Sequence, residues 1–139
     1  VREVLENGQA LEKLEKMIEM QGGNPRVTED YDLFKKPKHV YELTSGHDCY
    51  VKKVKTDMLG ISSMILGAGR ETKDSVIDYS AGIKLHKKTG MYVNKGEIIA
   101  SFYSDDMDKI NQALETFKEC LELSDSAEAQ RPLILSNIE

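Results

Sequence analysis

The stretch that decides the fold is residues 82–100, GIKLHKKTGMYVNKGEIIA. Its short apolar runs contain β-branched and aromatic residues, and they are separated by Thr89-Gly90 and Asn94-Lys95-Gly96, which have turn chemistry. The three strands that this pattern predicts are Ile83–His86, Tyr92–Val93 and Ile98–Tyr103.

Residues 82–100, the strand unit, resemble half of a biotinyl or lipoyl carrier domain. In those domains the modified lysine follows in a hairpin, and Asp108-Lys109 is a superficial match. The residues after Lys109 have a helical period, however, and Lys95 lies in the wrong turn. We therefore expect neither lysine to carry biotin or lipoate, and we interpret the likeness as a barrel-sandwich type of strand arrangement used for packing.

The residues before this unit predict a hairpin and a helix. Val40–Leu43 and Tyr50–Val54 are strand-like runs joined by a loop that contains glycine, which is typical of a β-hairpin. Thr56 or Asp57 would then cap a helix that runs to about Leu66 and ends at the glycines that follow.

The residues after the unit predict a long amphipathic helix. It begins after Ser104-Asp105-Asp106, where acidic side chains suit the positive end of the helix dipole. Pro132–Leu135 predicts a last short strand, so the order of elements is that of an α+β protein. The predicted buried face of the helix comprises Ile110, Ala113, Leu114, Phe117, Cys120 and Leu121.

The first 21 residues predict a helix with a break at Asn7-Gly8. Beyond the break, apolar residues recur every three or four positions and form one stripe opposite charged residues. Asn7 can cap this second part, and Gly22-Gly23 ends it. The stripe comprises Leu11, Leu14, Met17 and Ile18.

An irregular connector predicts where the chain divides. Residues 25–37 follow neither the strand nor the helix period, and we assign them as a linker whose basic end, Lys35–Lys38, is solvated. Residues 1–24 are assigned to a helix from a preceding domain, and residues 38–139 to a compact C-terminal domain. Without that preceding domain the helix would fray, fold back or pair with a second copy, and we expect folding back or pairing.

Composition excludes several classes of protein. The formal net charge is −5, which argues against a nucleic-acid binder because binding to the phosphate backbone needs a positive surface. The longest uncharged stretch, Met58–Gly69, is too short to span a membrane. We expect no signal peptide, because Val1-Arg2-Glu3 is not a basic end followed by an apolar run. Cys49 and Cys120 are interpreted as buried thiols of a protein in the reducing cytoplasm.

No catalytic, cofactor-binding or metal-binding residue is predicted. Structural zinc needs four closely placed ligands, which the two cysteines and the scattered His39, His47 and His86 do not supply. These histidines are interpreted as surface or half-buried residues. Gly67–Arg70 resembles part of a phosphate loop, but its glycines follow a helix, so we interpret it as helix termination. Arg70 is retained as a candidate for binding an anion or a partner carboxylate.

The order of these motifs resembles one family. Asn7–Lys13 followed by Met17–Gly23 looks like the end of the large domain of pyrimidine-nucleoside and thymidine phosphorylases. Ser136–Glu139 resembles the natural end of such enzymes, so we expect the chain to be their C-terminal portion, with an α/β-hammerhead-like domain. The motifs that resemble this C-terminal domain are Leu59-Gly60, Gly67–Arg70, Ile77–Gly82 and the glycine turns within residues 82–100.

The resemblance implies a role in pyrimidine metabolism and nucleoside salvage. Family members are cytoplasmic homodimers and pentosyltransferases, a kind of glycosyltransferase. In them phosphate attacks the anomeric carbon of a pyrimidine nucleoside and releases the free base and a pentose 1-phosphate. A small helical domain binds the base, and a large α/β domain binds the co-substrate phosphate.

In the family, the residues that bind phosphate, the base and a metal lie in parts that this chain lacks. The resemblance allows for a monovalent cation bound in those missing parts. We therefore carry over no site residue, expect no cofactor in this chain, and expect it to be inactive alone. Its implied role is to extend and rigidify the phosphate-binding domain. The alternative is a non-catalytic binding or structural module related to the carrier domains, which would need a ligand or modification site of its own.

Overall fold

The computed structural model describes residues 1–127 and divides the chain into two compact units, Val1–Lys36 and a second unit that begins at Pro37. The elements of the first unit are α1 (Arg2–Glu6), α2 (Gln9–Met20) and two 3-10 helices, Pro25–Thr28 and Tyr31–Leu33.

The predicted helix and its break are confirmed. Gly8 has a φ of +83°, and the side-chain oxygen of Asn7 accepts a hydrogen bond from the N–H of Gln9 at 3.1 Å. The N–H of Gly23 donates to the carbonyl of Ile18 at 2.9 Å, while Gly22 adopts a φ of +79°. This left-handed glycine ends α2 as the sequence predicts.

The residues assigned as a linker form the two 3-10 helices. The Thr28 hydroxyl donates to the Glu15 carboxylate at 2.8 Å and so attaches the first of them to α2. Lys36 pairs with Asp32 at 2.7 Å, and both side chains are largely exposed. The basic end is thus solvated, and the domain boundaries at residues 24 and 37 stay predictions.

The second unit is α+β, as predicted. Its elements are β1 (His39–Thr44), β2 (Cys49–Val54), α3 (Thr56–Ser63) with a following π-helical turn (Met64–Ala68), β3 (Gly82–Leu85), β4 (Tyr92–Val93), β5 (Ile98–Ser104), α4 (Met107–Cys120) and β6 (Leu121–Ser124). Within the described residues, the strands form two antiparallel sheets with the orders β1-β5-β3 and β4-β2-β6.

The predicted hairpin between β1 and β2 is wrong. β1 pairs with β5, beginning at His39 opposite Ser104, whereas β2 pairs with β4 and β6 in the other sheet. The loop between them passes from one sheet to the other at Ser45, which is buried and donates its N–H to the carbonyl of Glu97 at 3.0 Å. A glycine-containing loop indicates a change of direction, but it does not determine which strand becomes the partner.

Two further details differ from the sequence prediction. Lys55 precedes α3 without a side-chain cap, so Thr56 and Asp57 lie in its first turn and do not cap it. Leu121 does not end α4 but begins β6, a strand that the sequence analysis missed, where it pairs with Val54. The short strand predicted at Pro132–Leu135 lies outside the described residues.

The start of α4 is confirmed. The side chain of Asp106 accepts hydrogen bonds from the N–H groups of Asp108 and Lys109, at 2.9 and 3.4 Å. No helix within residues 1–127 is long and apolar enough to cross a membrane.

The main core lies between α3, α4 and the sheet that contains β5. The rings of Phe102 and Phe117 meet edge to face, with centroids 5.0 Å apart. A smaller cluster of Cys49, Val51, Val93 and Ile99 lies along the second sheet. The buried residues of the main core are Leu66, Ala100, Phe102, Ile110, Ala113, Leu114, Phe117 and Cys120.

Candidate functional site

The segment Gly67–Arg70 ends the π-helical turn, which confirms the interpretation as helix termination. Gly67 has a φ of +109°, a conformation that favours glycine, and its carbonyl accepts from the N–H of Asp78 at 2.9 Å. Arg70 follows the turn with its side chain exposed.

Two buried serines fasten this helix and its turn to the rest of the unit. The hydroxyl of Ser104, at the end of β5, donates to the carbonyl of Leu66 at 2.8 Å. The hydroxyl of Ser62 in α3 donates to the carbonyl of Ala113 in α4 at 2.7 Å. Neither contact was predicted from the sequence: Ser104 was noted only as part of the capping stretch before α4, and Ser62 was not noted at all. Serine is common on surfaces, and no local pattern marks these two as interior.

The two turns of the strand unit form hydrogen bonds with β2 and with the residue just before it. The N–H of Gly90 donates to the carbonyl of Val51 at 2.7 Å. The N–H of Lys95 donates to the carboxylate of Asp48 at 2.7 Å, in the turn between β4 and β5. Lys109 lies on α4. Both lysines therefore have the positions predicted for them, and the absence of biotin or lipoate on them stays a prediction.

An ion pair that the sequence did not indicate joins the segment after β3 to the residue that precedes β5. The ammonium nitrogen of Lys87 lies 2.5 Å from the Glu97 carboxylate and donates to the carbonyl of Tyr92 at 3.1 Å. The N–H of Asn94 donates to the same carboxylate at 2.9 Å. The hydrogen bond from Lys87, followed by that from Asn94, lowers the pKa of Glu97 to about 2.

The three histidines are placed as interpreted. His86 is half-buried, and its Nε2 lies 2.8 Å from the hydroxyl oxygen of the buried Ser101. His39 in β1 and His47 in the following loop are exposed. Within residues 1–127 no group of three or more His, Cys, Asp or Glu side chains is arranged to hold a metal ion.

Both thiols are buried and free, as predicted, whereas the cytoplasmic location stays a prediction. Cys49 is 1% exposed and Cys120 is 0% exposed. Burial raises the pKa of Cys120, whose thiol donates to the carbonyl of Lys55 at 3.2 Å. The carbonyl of Cys120 in turn accepts from the N–H of Lys55 at 3.0 Å, so the end of α4 is joined to the start of α3.

Comparison with known families gives a match over most of the second unit. The family described as "Pyrimidine nucleoside phosphorylase C-terminal domain" matches residues 50–124. This range extends from β2 to β6 and includes α3, the glycine turn, α4 and every strand of the two sheets except β1, which precedes it.

Curated relatives match the chain over a longer range. A pyrimidine-nucleoside phosphorylase of Geobacillus stearothermophilus is 35% identical over 116 residues, which are 82% of this chain and 27% of the relative. One of Bacillus subtilis is 29% identical over 99% of this chain and 31% of the relative. A thymidine phosphorylase of Metamycoplasma hominis is 38% identical over 75% of this chain and 38% of the relative. The chain thus spans about a third of the length of these relatives.

Proposed function

Because the chain belongs to the pyrimidine nucleoside phosphorylase family, whose C-terminal domain it carries, we propose that it works as the C-terminal part of an enzyme that splits pyrimidine nucleosides with phosphate. The products are the free base and a pentose 1-phosphate. The observation that carries the proposal is the family match over residues 50–124, together with relatives that are named for this activity.

The role of the chain in this enzyme is mechanical support of the domain that binds phosphate. The described residues support such a role, because several of their polar side chains join one element to another. Ser62 and Ser104 connect α3 and its turn to α4 and β5, and the ion pair of Lys87 with Glu97 closes the strand unit. These contacts fix the positions of α3, α4 and the strand unit, which then present a surface to which another domain can attach.

The enzyme's wider setting is proposed on the same basis. It acts as a cytoplasmic homodimer in nucleoside salvage, with phosphate as co-substrate and with any monovalent cation bound outside this chain. Its residues for nucleoside and phosphate likewise lie outside this chain. The alternative, a module related to the biotinyl and lipoyl carriers, is disfavoured because the family match includes the carrier-like strands and continues through α4.

Two proteins test the proposal: the chain alone, and a chimera in which it replaces the matched segment of the Bacillus subtilis phosphorylase. Each is assayed with uridine, thymidine and phosphate for release of pentose 1-phosphate. We expect no turnover by the chain alone, since orientation of the reactants supplies roughly 7 to 11 kcal/mol of barrier reduction and requires a complete site.

We expect turnover by the chimera. Activity of the chain alone that persists through repurification would contradict the supporting role. A chimera that folds but does not turn over either nucleoside would contradict the proposed enzyme.

A further inference from the structure

Helix α3 contains a glycine that none of the described residues around it requires. Gly60 lies in the interior of the helix and is not among the glycines with a positive φ. A Cβ built on it would meet no described atom within 4 Å. Glycine in a helix interior is less stable than alanine because it loses more backbone freedom on folding. Neither the backbone conformation of Gly60 nor the space around it in the described residues accounts for a glycine at this position.

Gly60 lies in a groove between α3 and the edge strand β3. Leu59, Ile83 and Leu85 are half-buried apolar residues of this groove, and none of its lining side chains is charged. Depletion of charge is typical of the buried centre of a protein interface. The residues that line the groove are Thr56, Leu59, Gly60, Ser63, Ile83 and Leu85.

A second groove, at the opposite edge of the same sheet, has a different character. It lies between β1 and α4, and its rim includes Glu115 and Lys118, which form an exposed ion pair at 2.6 Å. Charged, solvated side chains suit a surface that stays in contact with water. The comparison makes the groove at Gly60 the better candidate for a surface that is covered.

We infer that the groove between α3 and β3 is the surface on which the remaining polypeptide of the phosphorylase docks, with its backbone close to Gly60. This inference rests on the proposed function and names the surface through which the support is given. The length of the relatives supports this occupant: the Bacillus subtilis phosphorylase aligns with 99% of this chain but with 31% of its own length. About two thirds of such an enzyme is thus available to cover the groove.

The test compares the sign of one substitution in two proteins. In the chain alone, Gly60→Ala is expected to raise the melting temperature by about 4 °C, because alanine is the better helix former and the site is open. In the chimera with the Bacillus subtilis phosphorylase, Gly60→Ala and the larger Gly60→Leu are expected to lower the melting temperature. The control is Ile61→Ala at the next position, which is 43% exposed and does not line the groove, and its shift should be the same in both proteins.

Three outcomes would overturn the inference. One is a Gly60→Ala variant of the isolated chain that is no more stable than the parent, since the glycine would then be needed within the unit. Another is stabilisation of the chimera by the same substitution, and a third is a chimera with Gly60 that is recovered only as aggregate. Melting temperature does not depend on turnover, so a stable but inactive chimera would contradict the proposed function and leave the docking surface supported.

Discussion

The two units of the chain contain similar helices and differ in what those helices bury. In α2 the apolar residues Leu11, Leu14 and Met17 are 43 to 50% exposed, and no residue of that helix is buried. In α4 an apolar stripe of the same spacing is buried against α3 and β5, with Ile110 and Phe117 at 0% exposure. An amphipathic pattern therefore predicts a helix, whereas burial depends on the presence of a surface for it to cover.

The largest expected effect contrasts the two stripes directly. Phe117→Ala removes a ring that packs on Phe102 and should lower the free energy of unfolding by about 3 to 5 kcal/mol. Leu14→Ala removes a side chain that is 43% exposed and should change it by about 0.5 kcal/mol or less. Urea denaturation followed by circular dichroism measures both. Where Phe117→Ala is too unstable to measure, Phe117→Leu takes its place with a smaller loss, and equal losses in the two helices would contradict the contrast.

A smaller effect concerns the ion pair of Lys87 and Glu97 and depends on pH. The pKa of Glu97 in the folded chain is about 2, below its ordinary value of 4.5, so ionised Glu97 favours the folded state. This contribution is complete above pH 4.5 and is lost as the pH falls towards 2. The parent should therefore melt above Glu97→Gln at pH 7, and the difference should close as the pH falls through this range.

The matched control for this measurement is Glu42→Gln, an exposed carboxylate on β1. Measured over the same pH range, this variant shows how much the removal of an exposed carboxylate alone changes the melting temperature. The difference in melting temperature between the parent and Glu97→Gln is followed from roughly pH 5 to pH 2, across the titration of the carboxylate. If this difference stays constant, the carboxylate does not stabilise the fold by its charge.

The smallest expected change in stability comes from removing α1 and α2, the two α-helices of the first unit. Deletion of residues 1–24 should leave the melting transition of the domain at 38–139 unchanged, because the main core is built from residues after Pro37. Self-association measured by light scattering should fall, since the deletion removes the exposed stripe of α2. Lys13→Ala, on the polar side of the helix, is the control and should leave association unchanged. Unfolding of the shortened chain would show that the helix belongs to the domain.

The sequence predicted best the elements that carry their own boundary signals. The capping aspartate of α4, the glycines that end α2 and the turns of residues 82–100 are local features, and each lies where it was predicted. The partner of β1 was predicted wrongly because pairing with β5 joins residues far apart in the chain. β6 was missed because no glycine or proline separates it from α4, so Leu121 continues the helical stripe in the sequence.

The candidate surfaces were less predictable than the fold. The pairing of Lys87 with Glu97 requires both turns to be formed first, and nothing in the spacing of the two residues indicates it. Gly60 was recognised only as part of a motif, since its exposure and the apolar floor beside it appear only when α3 and β3 are assembled. Such tertiary features determine what a surface can bind, and local pattern does not encode them.

The direct passage from α4 into β6 bears on how the family can vary in length. Cys120 ends the helix, Leu121 begins the strand, and no residue separates them. Leu121 and Leu123 pack against the smaller core cluster. The backbone of Lys55 forms hydrogen bonds with both the carbonyl and the thiol of Cys120, at the end of the helix. One inserted residue would shift the strand by one position and turn these leucines to its other face. Insertions and deletions should therefore be rare at this junction and collect in residues 71–76, which precede the motif Ile77–Gly82 and end at Val76, 91% exposed.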